Sequence, residues 1–177
     1  VIRKAINASG NSSNLILDSH LDSYYLSTVI LSQLPENQSR LSEMAFFLYP
    51  RIIKGGSVSN EDGARAASFG YMMADLDIER VSNSVQISLA ASTDKEEGKA
   101  TEDSSPARIK EALEEYHTRQ QALLEYVRQF SKGKNIEGNR LMAAWLVAAK
   151  ANYTLWNTSS RRLETLLHTR KTQTGGT

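Results

Sequence analysis

Apolar residues along this chain recur at steps of three and four, the spacing that lines one face of a helix. A first helix is predicted from Leu21 or Asp22, with Asp22 as its N-cap. Pro35 should kink or interrupt it, since proline lacks an N–H and crowds the preceding turn. It resumes through Leu41, Met44, Phe47 and Leu48 to about Ile53, and Gly55 and Gly56 end it. A second helix opens at Ser59-Asn60-Glu61-Asp62, a capping-box-like start with acids in the first turn. Its seam reads Ala67, Tyr71, Ala74, Ile78, Val81 and Val85, at heptad spacing, and fades into a charged loop from Ser92 to Asp103.

A third helix starts at Ser105-Pro106, serine as N-cap and proline at the first helical position. Its seam is Ile109, Leu113, Tyr116, Gln120, Leu123, Val127 and Phe130, closed by Gly133. A fourth runs from about Ile136 past Leu167, with Met142, Trp145, Ala149, Asn152, Trp156, Leu163 and Leu167 as its seam. No strand alternation stands out. Four long helices with short connections predict an all-α fold, an antiparallel four-helix bundle forming one domain over residues 1–171. A frayed polar tail is expected over residues 172–177.

Composition changes this picture little. With 21 basic and 20 acidic residues the net charge is +1, so nothing steers the chain to nucleic acid. The absence of cysteine removes disulfides, thiolate catalysis and Cys-ligated zinc. No apolar run is long enough to span a bilayer. The chain begins at Val1 rather than methionine, which suggests a fragment of a larger protein.

Candidate chemistry concentrates in Asn14 to Ile30, where Asp18, His20, Asp22, Tyr24 and Tyr25 stand among leucines. Zinc could use such ligands, but His117 and His168 fall on other helices and no His-x-x-x-His pair exists. No Gly-x-Ser-x-Gly or phosphate loop is present, so no enzymatic activity and no cofactor are expected. Asp75 and Asp77, and Glu114 and Glu115, read as solvated helix surface. The Asn-x-Ser/Thr sequons, including one at Asn152, are of the kind a Ser- and Asn-rich chain makes by chance. Gln120 and Asn152 interrupt apolar seams and either fix register or face a small cavity. Asn14, Asp18, Asp22, Tyr24 and Tyr25 have two readings: a capped helix entrance, which leads, or a recognition surface for a small polar ligand.

Asn14-Leu15-Ile16-Leu17-Asp18, then Leu21-Asp22-Ser23-Tyr24-Tyr25-Leu26, resembles a run found in extracytoplasmic sensor regions of bacterial chemoreceptors and sensor histidine kinases. Leu34-Pro35, Gln38 and Arg40-Leu41 are similar to the L-P-x-x-Q-x-R-L that follows it. Leu155-Trp156, Leu163, Leu166-Leu167 and Arg170 resemble the L-W…L-x-x-L-L-x-x-R stretch before the second membrane span. Ser19, His20 and Ser27 depart from the pattern, which has proline, aspartate and methionine there.

The resemblance implies a periplasmic sensing domain of an inner-membrane receptor, held between two membrane spans. Its partner would be a small-molecule ligand, and intact receptors of this kind are expected to be homodimers. The alternative is a helical module that recognises a periplasmic protein.

Overall fold

The computed structural model describes residues 20–92 and 100–174. Asn14, Asp18 and the sequons at Asn7 and Asn11 lie outside the described residues. Among the described residues there are no strands, and four long helices form an all-α bundle.

Helix α1 comprises Leu21–Thr28, a π-helical stretch Val29–Gln33, and Leu34–Lys54. Pro35 does not break it. The π turn absorbs the missing N–H, and the helix continues to the positive-φ pair Gly55 and Gly56 (φ 69° and 97°).

Helix α2 comprises Asn60–Tyr71, a second π-helical stretch Met72–Glu79, and Arg80–Ala91. Ser59 caps it, its hydroxyl accepting the Asp62 amide at 3.1 Å. The expected seam of α2 needs correction in its first half. Ile78, Val81 and Val85 are buried, but Tyr71 is exposed, and Ala66, Gly70 and Met73 are buried in place of Ala67, Tyr71 and Ala74. The shift is one residue, which is what one π insertion between the halves produces.

Helix α3, Pro106–Ser131, follows a 3-10 turn at Glu102–Ser104. Ser105 caps it through the Arg108 amide at 3.2 Å, and every expected seam residue is buried. Gly133 (φ 73°) closes it, its amide donating to the Phe130 carbonyl at 2.9 Å.

Helix α4 spans Gly138–Thr174, so residues expected in a frayed tail are helical through Thr174. Its buried line is Leu141, Ala148, Ala151, Leu155, Ser159, Arg162 and Leu166. The tryptophans and Met142 sit at the edge of that line, half-buried, rather than at its centre. The large aromatics reach the core from flanking positions, while leucines, alanines, Ser159 and Arg162 face it squarely.

Consecutive helices are neighbours, and α1 also packs on α4. The short links at residues 55–59 and 132–137 make α1 and α2, and α3 and α4, antiparallel neighbours. The core divides into three apolar clusters along the bundle axis. One, around Leu41, Phe47, Phe69, Leu124 and Leu141, lies towards the α1–α2 and α3–α4 loops. A central one holds Val29, Leu34, Val81, Ile109, Tyr116 and Leu155. The third holds Leu26, Ile30, Leu163 and Leu166, where α1 begins and α4 ends.

Candidate functional site

Where α1 begins, Asp22 is not the N-cap. His20 holds that place, with no side-chain capping bond, and Asp22 lies inside the first turn. Its carboxylate is 2% exposed and accepts both oxygens' bonds from one nitrogen of Arg170, at 2.6 and 2.7 Å. The other terminal nitrogen of Arg170 donates to the Ser23 hydroxyl at 2.7 Å. The Ser23 amide donates to Asp22 Oδ1 at 2.7 Å, so the carboxylate also holds a first-turn amide and complements the helix N-terminus. From α2, Ser88 Oγ donates to the Asp22 carbonyl at 2.7 Å. Three helices thus converge on two residues.

Tyr24 is 44% exposed and Tyr25 half-buried. Their rings meet edge-on at 5.4 Å. Of the five residues singled out in the sequence, the structure engages Asp22 with Arg170 and sets the two tyrosine rings edge-on to each other.

A second link joins the same two helices. In α1 the Leu34 amide donates to the Val29 carbonyl, an i to i+5 bond. The Ile30 carbonyl would next need the amide of residue 35, which is proline and has none. Trp156 of α4 fills the gap, its Nε1 donating to the Ile30 carbonyl at 3.1 Å. Proline and tryptophan, far apart in sequence, are two parts of one hydrogen-bonding arrangement. Leu26, Ile30, Leu163 and Leu166 pack beside it.

Between the first two apolar clusters runs a polar layer to which every helix contributes. Asn37 of α1 and Gln120 of α3 exchange amide bonds at 3.3 and 3.2 Å. Asn152 of α4 donates to Asn37 Oδ1 at 2.7 Å and to the Leu34 carbonyl at 3.1 Å. The sequon at Asn152 is therefore engaged in the core. From α2, Asp77 is fully buried and accepts Arg40 Nε at 2.9 Å. Asp77 was expected on the solvated surface. The π turn rotates it inward while Asp75 stays outside. Burial pushes the Asp77 carboxyl above its ordinary 3.8, against the pull of Arg40 and Arg80. Burial, and then the Asp77 charge, hold the Tyr116 phenol well above its usual value.

Gln120 and Asn152 were legible as breaks in apolar seams. Asp77 and Asn37 were not, because Asp77 lies within one π stretch and Asn37 one turn beyond the other, and each stretch displaces the helical period. Arg170 appeared as a motif residue, without any sign that Asp22 was its partner.

Elsewhere an open depression of about 650 Å³ lies at the loop end, lined by residues including Arg51, Lys54, Asp62, Lys134 and Asn135. Arg51 is already bonded to Asp62 at 2.8 Å. Among the described residues no group of three His, Asp or Glu side chains is gathered as a metal site, and no helix is long and apolar enough to cross a membrane. No family model, curated protein or solved structure matches this chain.

Proposed function

We propose that this chain is the extracytoplasmic, signal-sensing domain of a bacterial transmembrane receptor of the histidine-kinase or chemoreceptor type, acting by binding rather than catalysis. One observation carries the reading. The two segments that resemble such sensors, Leu21 to Leu41 and Leu155 to Arg170, lie against each other and are joined by Asp22–Arg170 and by Trp156 on the Ile30 carbonyl. These are the segments that would lead to the two membrane spans. A ligand that prefers one packing of the bundle would shift the end of α4 against the start of α1, by no more than its differential affinity for the two states.

A thermal-shift screen against amino acids, organic acids, amines and sugars tests the reading. Reproducible, concentration-dependent stabilisation by one chemical class supports it. A flat response across the panel favours a second reading, recognition of a periplasmic protein. A specific feature favours that alternative: a shallow apolar groove of about 240 Å³ between α1 and α4, lined by Ala45, Phe46, Tyr49, Pro50, Met142 and Trp145. Phe46 on its rim is 82% exposed.

A further inference from the structure

Three side chains of α4 donate to backbone carbonyls of α1, and they do so in step. Trp145 Nε1 reaches the Leu41 carbonyl at 3.0 Å, Asn152 Nδ2 the Leu34 carbonyl at 3.1 Å, and Trp156 Nε1 the Ile30 carbonyl at 3.1 Å. The donors advance by seven residues and then four along α4, and the acceptors retreat by seven and then four along α1. Steps of seven and four keep to one face of a helix. The three bonds are rungs of one ladder between two helices that run in opposite directions.

The ladder fits one register. Sliding α4 by a single residue turns its face by about 100° and takes all three donors off their carbonyls. Sliding it by a whole turn, about 5.4 Å, leaves the Ile30 carbonyl, which Pro35 already deprives of an amide, without a donor. Asn152 adds a second constraint. It also donates to Asn37 Oδ1 at 2.7 Å, and Asn37 in turn donates to Gln120 at 3.3 Å. A buried amide with matched partners specifies register, as one polar residue does in a coiled-coil seam.

Towards the start of α1 and the end of α4 the linkage changes character. The π turn Val29–Gln33 sets Leu21–Thr28 apart from the ladder, and Arg170 reaches Asp22 and Ser23 side chain to side chain. The arginine stem has several rotatable bonds, so its head can follow a moving carboxylate, whereas an indole has only two and its acceptors here are fixed in the backbone. The apolar contacts among Leu26, Ile30, Leu163 and Leu166 are non-directional and permit tilting. A π turn is also a place where a helix bends.

We propose that α1 and α4 form a register clamp with a hinge: the rungs at Trp145, Asn152 and Trp156 forbid sliding, and movement between the two helices is a tilt about the α1 π turn that the Asp22–Arg170 junction follows. The signalling role of this tilt rests on the sensing reading above; the clamp and hinge themselves do not need a ligand. A signal then reaches the end of α4 as a change of angle rather than as a piston stroke along α1.

Pulsed electron-spin distance measurements on the intact, ligand-free chain test the device, so a failure of the sensing reading would leave the result standing. One pair of cysteine-linked nitroxides replaces Glu43 and Lys150 beside the ladder, and a second pair replaces Tyr24 and His168 beyond the π turn; all four side chains are exposed, and the chain has no cysteine of its own. Asp22→Ala should broaden the outer distance distribution and move the inner mean by less than ~1.5 Å, the rise of one residue. Trp145→Phe combined with Trp156→Phe keeps an aromatic ring at each position and removes two rungs, and should broaden the inner distribution. Trp145→Phe alone carries the same test if the double variant falls short of wild-type helicity by circular dichroism. An inner distribution that broadens together with the outer one in Asp22→Ala, or an outer one that does not respond, would overturn the hinge. An inner distribution unchanged by loss of the rungs, at wild-type helicity, would overturn the clamp.

Discussion

Replacing Asp22 by alanine leaves Arg170 without its carboxylate at the junction of α1 and α4. The two side chains are 2% and 15% exposed, so the pair is close to fully buried. Removing one member of a buried pair typically costs ~3–5 kcal/mol, mostly because the surviving charge is stranded. Arg170 keeps its bond to Ser23 and a little solvent contact, which places the expected cost near the lower end, about 3 kcal/mol. For a chain of this size that is a melting shift of roughly 6–12 °C. A helix cap alone would cost only ~0.5–2 kcal/mol.

Urea unfolding of wild type, Asp22→Ala, Arg170→Ala and the double variant separates the two accounts. The cycle should give a coupling of at least ~1 kcal/mol between the two positions. Additive single effects, or an Asp22→Ala cost below about 1 kcal/mol, would refute the buried-pair reasoning and restore the capping account.

Trp156→Phe deprives the Ile30 carbonyl of its donor and should cost ~1–3 kcal/mol by thermal or urea unfolding; Pro35→Ala supplies an amide there and should shrink that cost. Tyr24→Phe removes a hydroxyl from a half-exposed ring, so its unfolding free energy should stay within about 0.5 kcal/mol of wild type. A carbon-13 titration of Asp77 should show a midpoint above 3.8, because burial disfavours its charged form. The sign follows: folded Asp77 keeps its proton to higher pH than unfolded Asp77. Its contribution to stability is therefore most favourable below 3.8 and declines as pH rises through the folded midpoint, opposite to a salt-bridged carboxylate with a depressed value.

Helix positions, terminators and the caps of α2 and α3 were legible because each rests on local chemistry, whereas the expected Asp22 cap of α1 was not found. Ser59 and Ser105 accept the amides expected of them, and Gly55, Gly56 and Gly133 adopt the positive φ that stops a helix. What was not legible depends on the two π turns and on pairing between distant residues. One added residue per turn moved the buried line of α2 from Tyr71 to Gly70 and turned Asp77 inward. The site suffered more than the fold. Asp22 before an apolar run reads equally well as a cap or as half of an ion pair, and only the end of α4 folding back beside it decides which. Tyr24 and Tyr25, conspicuous as a doublet, are exposed and half-buried respectively and meet edge-on.

The most direct test of the sensing account is a chimera that carries this chain between the two membrane spans of a well-characterised receptor kinase, read through its transcriptional output. The account predicts a regulated output in the wild-type graft. Asp22→Arg and Arg170→Asp should each fix that output at one extreme, and the double exchange, which restores opposite charges across α1 and α4, should return regulation. Output that is indifferent to both single exchanges, in grafts present in the membrane at wild-type level, would contradict the claim that this junction carries the signal.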